Sequence, residues 1–535
     1  MEILEPILIL MAILAGLSAL APKLKVPYPI VLVIGGLLVG ITPSLPNVRL
    51  EPDVVFLIFL PPLLYEASWK ISWQELKTHR KPVSRLAIGL VFLTTSVIAV
   101  VAHYCIPGFS WPLAFVLGAI VSPPDAVAAT SATKGLGLPR RTTTILEGES
   151  LVNDASALIA YRYAVVAVAS GTFVLWQASI QFFILAIGGV LAGLAIGYAF
   201  VWVFRKVQGN ATVEASLNIM IPFVSYLFAE HIKVSGVLSV VATGLFVSWR
   251  SSEVFSFQGR ILSNNFWELL GFLLNGFVFI LIGLQLPWIL QDIPNQSLGT
   301  LILYGLLVSA AAIFIRMAWL FVIAKFPFEF GYRNGAKQSK GELFIIGWAG
   351  MRGVVSLATA LALPLTLANG EPFPNRNIIL FITFIVILVT LVLQGLTLPY
   401  FVKRLKVSED PDKEAALERK LRLYMARSSI QFIEQELPKL IDQEEIGAGL
   451  RNRFEQQIRY LYGSIPTDGV EPSLKEKREK FKKYIFGELE VINFQRNQMV
   501  ELIKENKFPE ELVRKLEGEL DVWNVSVQSR LKIMK

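Results

Sequence analysis

The sequence is poor in the residues that most enzymes and metal proteins depend on. It has one cysteine, Cys105, which excludes a disulfide framework and any CxxC metal site. It has three histidines, His79, His103 and His231, too widely spaced for a His-rich metal centre. Of its 535 residues only 17% are charged, against about 25% in an average soluble domain. Hydrophobic residues make up 54%, mean hydropathy is +0.55, and the apolar residues come in long runs. A soluble enzyme is excluded for most of the chain. Neither HExxH nor a Ser/His arrangement lies at membrane depth, so an intramembrane hydrolase has no support, and nothing calls for a cofactor. The formal net charge of +8 suits nucleic acid only if the basic residues share one surface, so their placement decides its meaning.

The composition changes near residue 405. Residues 1–405 are almost continuously apolar and read as a transmembrane domain. Residues 406–535 are rich in Lys, Arg, Glu and Gln and read as a helical cytoplasmic regulatory tail. A spanning helix needs about 20 apolar residues. Thirteen candidates fit: 3–21, 28–43, 53–68, 83–106, 112–133, 142–169, 174–204, 212–230, 235–249, 263–286, 299–325, 340–367 and 376–402. With the N-terminus outside, eighteen Lys and Arg fall on inward loops, against Arg49, Lys233 and Arg376 on outward ones. That is a strong positive-inside bias. It places the C-terminus in the cytoplasm and makes the positive charge a topology signal, with no role for nucleic acid. Ala19-Leu20-Ala21 resembles a signal cleavage site, but Glu2 and Glu5 with no preceding basic residue favour retention of the first span.

Three spans break the rules of apolar helices. The fifth contains Ser122-Pro123-Pro124-Asp125, and two adjacent prolines cannot continue a helix. The twelfth reads Gly347-Trp348-Ala349-Gly350-Met351-Arg352-Gly353, which also favours unwinding. The sixth carries Glu147, Glu149 and Asp154. An offset of seven helices inverts the twelfth span relative to the fifth. Interrupted helices at corresponding places of inverted halves point to the ion site of a secondary transporter. Helices 4–6 and 11–13 then form the core and the remainder mainly a dimerisation unit. Each break leaves a positive and a negative dipole end. Asp125 sits where a carboxylate is favoured, Arg352 offsets the negative end of its own break, and carbonyls near Pro124 are free for a hard cation.

At 1.5 Å per residue, Asp154 and Arg352 lie about 18 Å from the inner side, Asp125 and Arg316 about 13 Å, and Glu149 about 10 Å. A charge at such depth costs about 3 kcal/mol on insertion scales, so unpaired ones are rare. The economical arrangement is a structural ion pair between Glu149 and Arg316. That leaves Asp154 without a partner, beside Asn153 and on one face with Ser150. Either a proton or a small cation can neutralise a lone carboxylate in a low-dielectric cavity, but not both, which is sufficient for antiport. Asp154, Ser150 and backbone carbonyls are oxygen donors suited to Na⁺. One titrating Asp beside a neutral Asn implies one proton per monovalent cation.

These motifs resemble the monovalent cation/proton antiporter family, in its NhaP and eukaryotic sodium/proton exchanger branch. The resemblance covers most of residues 1–405. It is carried by Phe59-Leu60-Pro61-Pro62-Leu63-Leu64-Tyr65-Glu66, Ser122-Pro123-Pro124-Asp125-Ala126-Val127-Ala128, Glu147 through Asp154, and Gly350-Met351-Arg352-Gly353, in that order. It implies an all-α, NhaA-like fold of thirteen helices with inverted repeats and two unwound crossing helices. It implies a homodimer in a lipid bilayer, in a bacterial plasma membrane, working by an elevator-like motion. It makes Asp154 the residue that binds Na⁺ and H⁺, with Ser150 and the backbone near Pro124 and Asp125 as ligands. Glu66 matches an acidic residue near the cytoplasmic ion path of some relatives. Helix 5 departs from the family pattern, with Pro-Pro-Asp-Ala where many relatives have Thr-Asp-Pro.

The expected function is therefore electroneutral exchange of Na⁺, and of Li⁺ with it, for H⁺. The runner-up is K⁺/H⁺ or Ca²⁺/H⁺ exchange by the same mechanism, because oxygen sites discriminate by cavity size. A cation channel is more remote, since no repeated filter loop is visible. Elsewhere plain structural roles are expected. Glu214 and Glu268 read as solvated, Trp69, Trp73 and Trp111 as interfacial belt residues, Arg162 as reaching the outer interface, and the basic run at 475–484 as a solvated helix face.

Overall fold

The computed structural model describes residues 4–24, 26–41, 57–170, 175–291, 297–324, 339–367, 370–408, 411–435, 444–463, 483, 485–495, 497–498 and 510–532. The run at 475–482 lies outside these residues, as do Arg49, Lys325, Arg333 and Lys337. The chain divides into two compact units, Met1–Ser408 and Glu409–Lys535.

The described residues of the first unit are mostly helical. Its helices are α1 (Leu4–Leu24), α2 (Tyr28–Ile41), α3 (Leu60–Lys70), the short α4 (Trp73–Thr78), α5 (Arg80–Cys105), α6 (Trp111–Val121), α7 (Ala126–Thr133), α8 (Arg140–Ser170), α9 (Leu175–Val207), α10 (Ala211–His231), α11 (Gly236–Trp249), α12 (Phe257–Gln291), α13 (Leu298–Ala324), α14 (Lys340–Trp348), α15 (Val354–Leu361) and α16 (Arg376–Arg404). Among the described residues, eight spans are long and apolar enough to cross a membrane, counting α6 with α7 as one. The others are shorter, or are halves of a broken helix. Each of the thirteen apolar segments contains helix among its described residues, with non-helical breaks at 122–125 and 349–353.

Local chemistry sets the helix starts. Pro61 and Pro112 occupy the first turns of α3 and α6, where a missing N–H costs nothing. Asn210, Ser235 and Ser339 cap α10, α11 and α14 by accepting from Val213 N, Leu238 N and Glu342 N. The apolar interior is continuous around α6, α8 and α16, with a second cluster around α3, α10 and α11.

Two expectations are corrected. Glu214 is not solvated but fully buried. It accepts from Gly209 N at 2.9 Å, Ser256 N at 2.9 Å and Ser256 Oγ at 2.8 Å, which ties two loops to the start of α10. Trp69 is not a belt residue. It is buried, donates to Asn264 at 2.7 Å and stacks with Tyr65. Trp73 and Trp111 are exposed as expected, and Arg162 is exposed and paired with Glu230 at 2.8 Å.

In the second unit α17 (Pro411–Gln435) packs on α18 (Glu444–Gly463), joined by Arg451–Glu434 at 3.0 Å. α19 (Glu510–Lys532) contributes Leu520 and Val527 to a small core with Ile485 and Ile492, closed by Arg530–Glu488 at 2.9 Å.

Candidate ion site at the crossing of two broken helices

Pro123 and Pro124 end α6 at Val121, and the chain restarts as α7 at Ala126. Between α14 and α15 the segment Ala349–Gly353 is likewise non-helical. The two breaks touch, with Asp125 N donating to Met351 O at 2.7 Å. Gly353 allows the approach, because a Cβ there would run into the Asp125 carboxylate.

The crossing brings together two positive and two negative helix ends, and one carboxylate answers both positive ones. Asp125 caps α7 through Val127 N at 2.8 Å and also meets Val354 N, the start of α15, at 3.3 Å. A carboxylate shared by two helix N-termini offsets both dipole ends. Arg352, 1% exposed, donates from Nε to Val121 O at the end of α6, at 3.1 Å, and from Nη1 to Gly350 O. Its backbone N–H donates to Thr390 Oγ1 at 3.1 Å. Arg352 therefore compensates the opposite break as well as its own.

Helix α8 supplies the wall of the site. Glu149 and Arg316 are each 1% exposed and form a two-pronged pair, with Nη1 to Oε1 at 2.5 Å and Nη2 to Oε2 at 2.8 Å. Arg316 also donates to Gly347 O at 3.1 Å and Ile346 O at 3.0 Å, carbonyls at the end of α14. Gly350 leaves room for it, since a Cβ there would strike the guanidinium. Ser150 Oγ receives Ala126 N at 3.5 Å. Asn153 Nδ2 donates to Pro124 O at 3.0 Å, which leaves that carbonyl one lone pair and leaves Asn153 Oδ1 buried without a partner.

Asp154 is different. It is 5% exposed and, among the described residues, has neither an ion-pair nor a hydrogen-bond partner. It lines a cavity of about 60 Å³ together with Glu66, Pro124, Asp125, Ser150, Asn275 and Ser356. That volume admits an ion and a few waters. Every donor named here is an oxygen, the chemistry of a hard cation rather than a transition metal.

A family model described as "Sodium/hydrogen exchanger, transmembrane" matches residues 9–404. The chain belongs to the sodium/hydrogen exchanger family. It is similar to a "Sodium, potassium, lithium and rubidium/H(+) antiporter" of Bacillus pumilus, 31% identical over all of this chain and 79% of that protein. It is similar also to the "Na(+)/H(+) antiporter ApNhaP" of Aphanothece halophytica, 32% identical over 76% of each chain. The solved sodium proton antiporter MjNhaP1 of Methanocaldococcus jannaschii shares the fold, with a TM-score of 0.59 and 21% identity over 76% of this chain and all of that one. The exchanger is thus an integral membrane antiporter for monovalent cations.

Of the expected site residues, Asp154, Ser150, Asp125, Pro124 and Glu66 line this cavity, and Asn153, Glu149, Arg316 and Arg352 lie at the crossing. Glu66 arrives from α3, buried at the cavity edge and paired with Lys70. Sequence reasoning missed Asn275 and Ser356. Asn275 had a signal, being a lone amide in an apolar run. Ser356 has none, since single serines are common in membrane helices. Its Oγ is buried without a hydrogen-bond partner.

Proposed function

We propose that this exchanger moves Na⁺, and Li⁺ with it, against H⁺ one for one, with the two ions competing for Asp154. One observation carries the reading: Asp154 is the cavity carboxylate left unanswered by the protein. Asp125 is already held by two amides, and Glu66 by Lys70. A single free carboxylate takes one proton or one monovalent cation, so a full cycle moves no net charge. Ser150 Oγ, Ser356 Oγ and the second lone pair of Pro124 O are neutral oxygens of the same cavity, and Asn153 Oδ1 is a further unpartnered oxygen one residue from Asp154.

The same reading includes thirteen spans, the N-terminus outside and the C-terminus in the cytoplasm of a bacterial plasma membrane. It also includes a homodimer whose core, helices 4–6 and 11–13, moves against the remainder by an elevator-like step. Residues 406–535 then serve as the regulatory tail. The twin dipole compensation by Asp125 and Arg352 supports a core that moves as one body, because it locks the two broken helices together.

A second reading has K⁺ as a substrate. The names of two Bacillus relatives include potassium and rubidium, and the cavity volume does not exclude the larger ions. Ca²⁺ is less favoured, since it prefers several carboxylates. The test is proton flux in sealed proteoliposomes on addition of Na⁺, Li⁺, K⁺, Rb⁺ or Ca²⁺, with and without a clamped potential. Na⁺-driven flux indifferent to the potential, lost in Asp154→Asn with the fold intact, is the expected result. Exchange retained by Asp154→Asn would overturn the assignment of Asp154, and strong dependence on the potential would overturn the stoichiometry.

A further inference from the structure

The cavity contains a second carboxylate whose partner is unusual. Glu66, 8% exposed, shares the cavity with Asp154. Its partner Lys70 comes from one turn further along the same helix. The two side chains are unequal, Glu66 being 11% exposed and Lys70 51%. Glu66 is also hemmed in from α12, where a Cβ on Gly271 would stand 2.9 Å from its carboxyl carbon and oxygen. The carboxylate is therefore fixed, and the ammonium, on a long flexible stem at the end of α3, is the partner free to leave. A lysine ammonium carries the same single positive charge as the transported ion. It also has somewhere to go, because its side chain is already half exposed.

We propose that Lys70 is a tethered competitor for the transported cation. Its ammonium neutralises Glu66 while the cavity is empty, and it swings away from the cavity when a cation enters beside Asp154. This rests on the reading of the cavity as the ion site and deepens it, by naming what sets its affinity. A bare buried carboxylate at Glu66 would be costly in the empty site. With a permanently bound counter-ion it would add nothing to cation binding. A competitor on a half-exposed tether does both jobs. The empty cavity is stable, and the cation gains Glu66's field only by displacing a weak partner, since pairs with an exposed member are worth little.

The measurement is the KM for Na⁺ in proteoliposomes. Lys70→Gln should lower it by about two- to fivefold, the range of a partly exposed pair, with the change in KM rather than kcat. Lys70→Arg, which keeps a cation on the tether, should stay close to the parent. In a Glu66→Gln background, Lys70→Gln should have no further effect. An unchanged or raised KM in Lys70→Gln would overturn the proposal, as would the same drop persisting without Glu66. Asp154→Asn run in parallel separates the two levels. If that variant is inactive while Lys70→Gln leaves KM unaltered, only the role of Lys70 falls. If Asp154→Asn still exchanges, the reading of the cavity falls with it.

Discussion

Removing either member of the Glu149–Arg316 pair should destabilise the transmembrane unit, and the structure fixes the order of the effects. Both side chains are 1% exposed, so neither can turn to water. Glu149→Ala leaves a buried guanidinium with two carbonyl acceptors but no counter-charge, which costs about 3–5 kcal/mol. Arg316→Ala leaves a buried carboxylate at a similar cost and also strips the donor from Gly347 O and Ile346 O. Each such acceptor adds about 1–3 kcal/mol if nothing replaces it. The arginine variant should therefore be the worse of the two. The double variant removes both charges and keeps only the cavity and the orphaned carbonyls. It should melt above Arg316→Ala, and the non-additivity should approach about 3 kcal/mol, the upper end for directly paired groups. Thermal melting in detergent at a fixed heating rate measures this. The rate must be held constant, because unfolding of such proteins is under kinetic control. Parent-like melting of both single variants would refute the reasoning, and so would strictly additive losses in the double variant.

Gly353→Ala places a methyl group against the Asp125 carboxylate; exchange should be lost or severely reduced, and parent-like flux would mean the two breaks are free to separate. Glu214→Ala leaves Gly209 N, Ser256 N and Ser256 Oγ without their acceptor; losing an acceptor for three part-buried donors should cost about 2–4 kcal/mol, read as a lower melting temperature with Glu214→Gln intermediate. His79, outside the spans, has its pKa held below the ordinary histidine value by burial and by the nearby Arg141. The unfolded chain therefore takes up a proton near pH 6.5 while the folded one resists it, so stability is present above that pH and is lost as the pH falls. His79→Gln should make melting less sensitive to acid between pH 7 and 5, and an unchanged pH dependence would count against that assignment.

Much of the site was legible because membrane depth is a linear function of sequence. Along a spanning helix, 1.5 Å per residue turns a position into a height. Charges that must pair can be matched by height alone, as Glu149 and Arg316 were. The breaks were legible because Pro123-Pro124 and the three glycines around Arg352 violate helix chemistry outright. Height carries no azimuth, so the lateral partners were lost. Nothing in the sequence tells that Arg316 also covers the end of α14, or that Arg352 reaches across to Val121. Glu214 was misread for a related reason. A carboxylate near a helix end looks solvated until the loops at Gly209 and Ser256 fold over it.

The crossing also explains why one chain can hold four ionised groups deep in a membrane and leave a carboxylate among them free. Glu149 and Arg316 cancel each other. Asp125 answers two helix N-termini, and Arg352 is held by Val121 O at the end of α6 and by Gly350 O in its own break, so neither depends on Asp154. The charges of the scaffold are thus balanced without Asp154. Had Asp154 been required to neutralise Arg352 or a dipole end, binding a cation would have unbalanced the crossing, and each turnover would have strained it. Because the scaffold balances alone, occupancy of Asp154 by Na⁺ or H⁺, as proposed above, would change only the charge of the cavity. An uncharged core is the form that crosses a bilayer at low cost. On the proposed reading the carboxylate neutralised by either ion would meet that condition and the empty one would not, and that difference would couple the two fluxes.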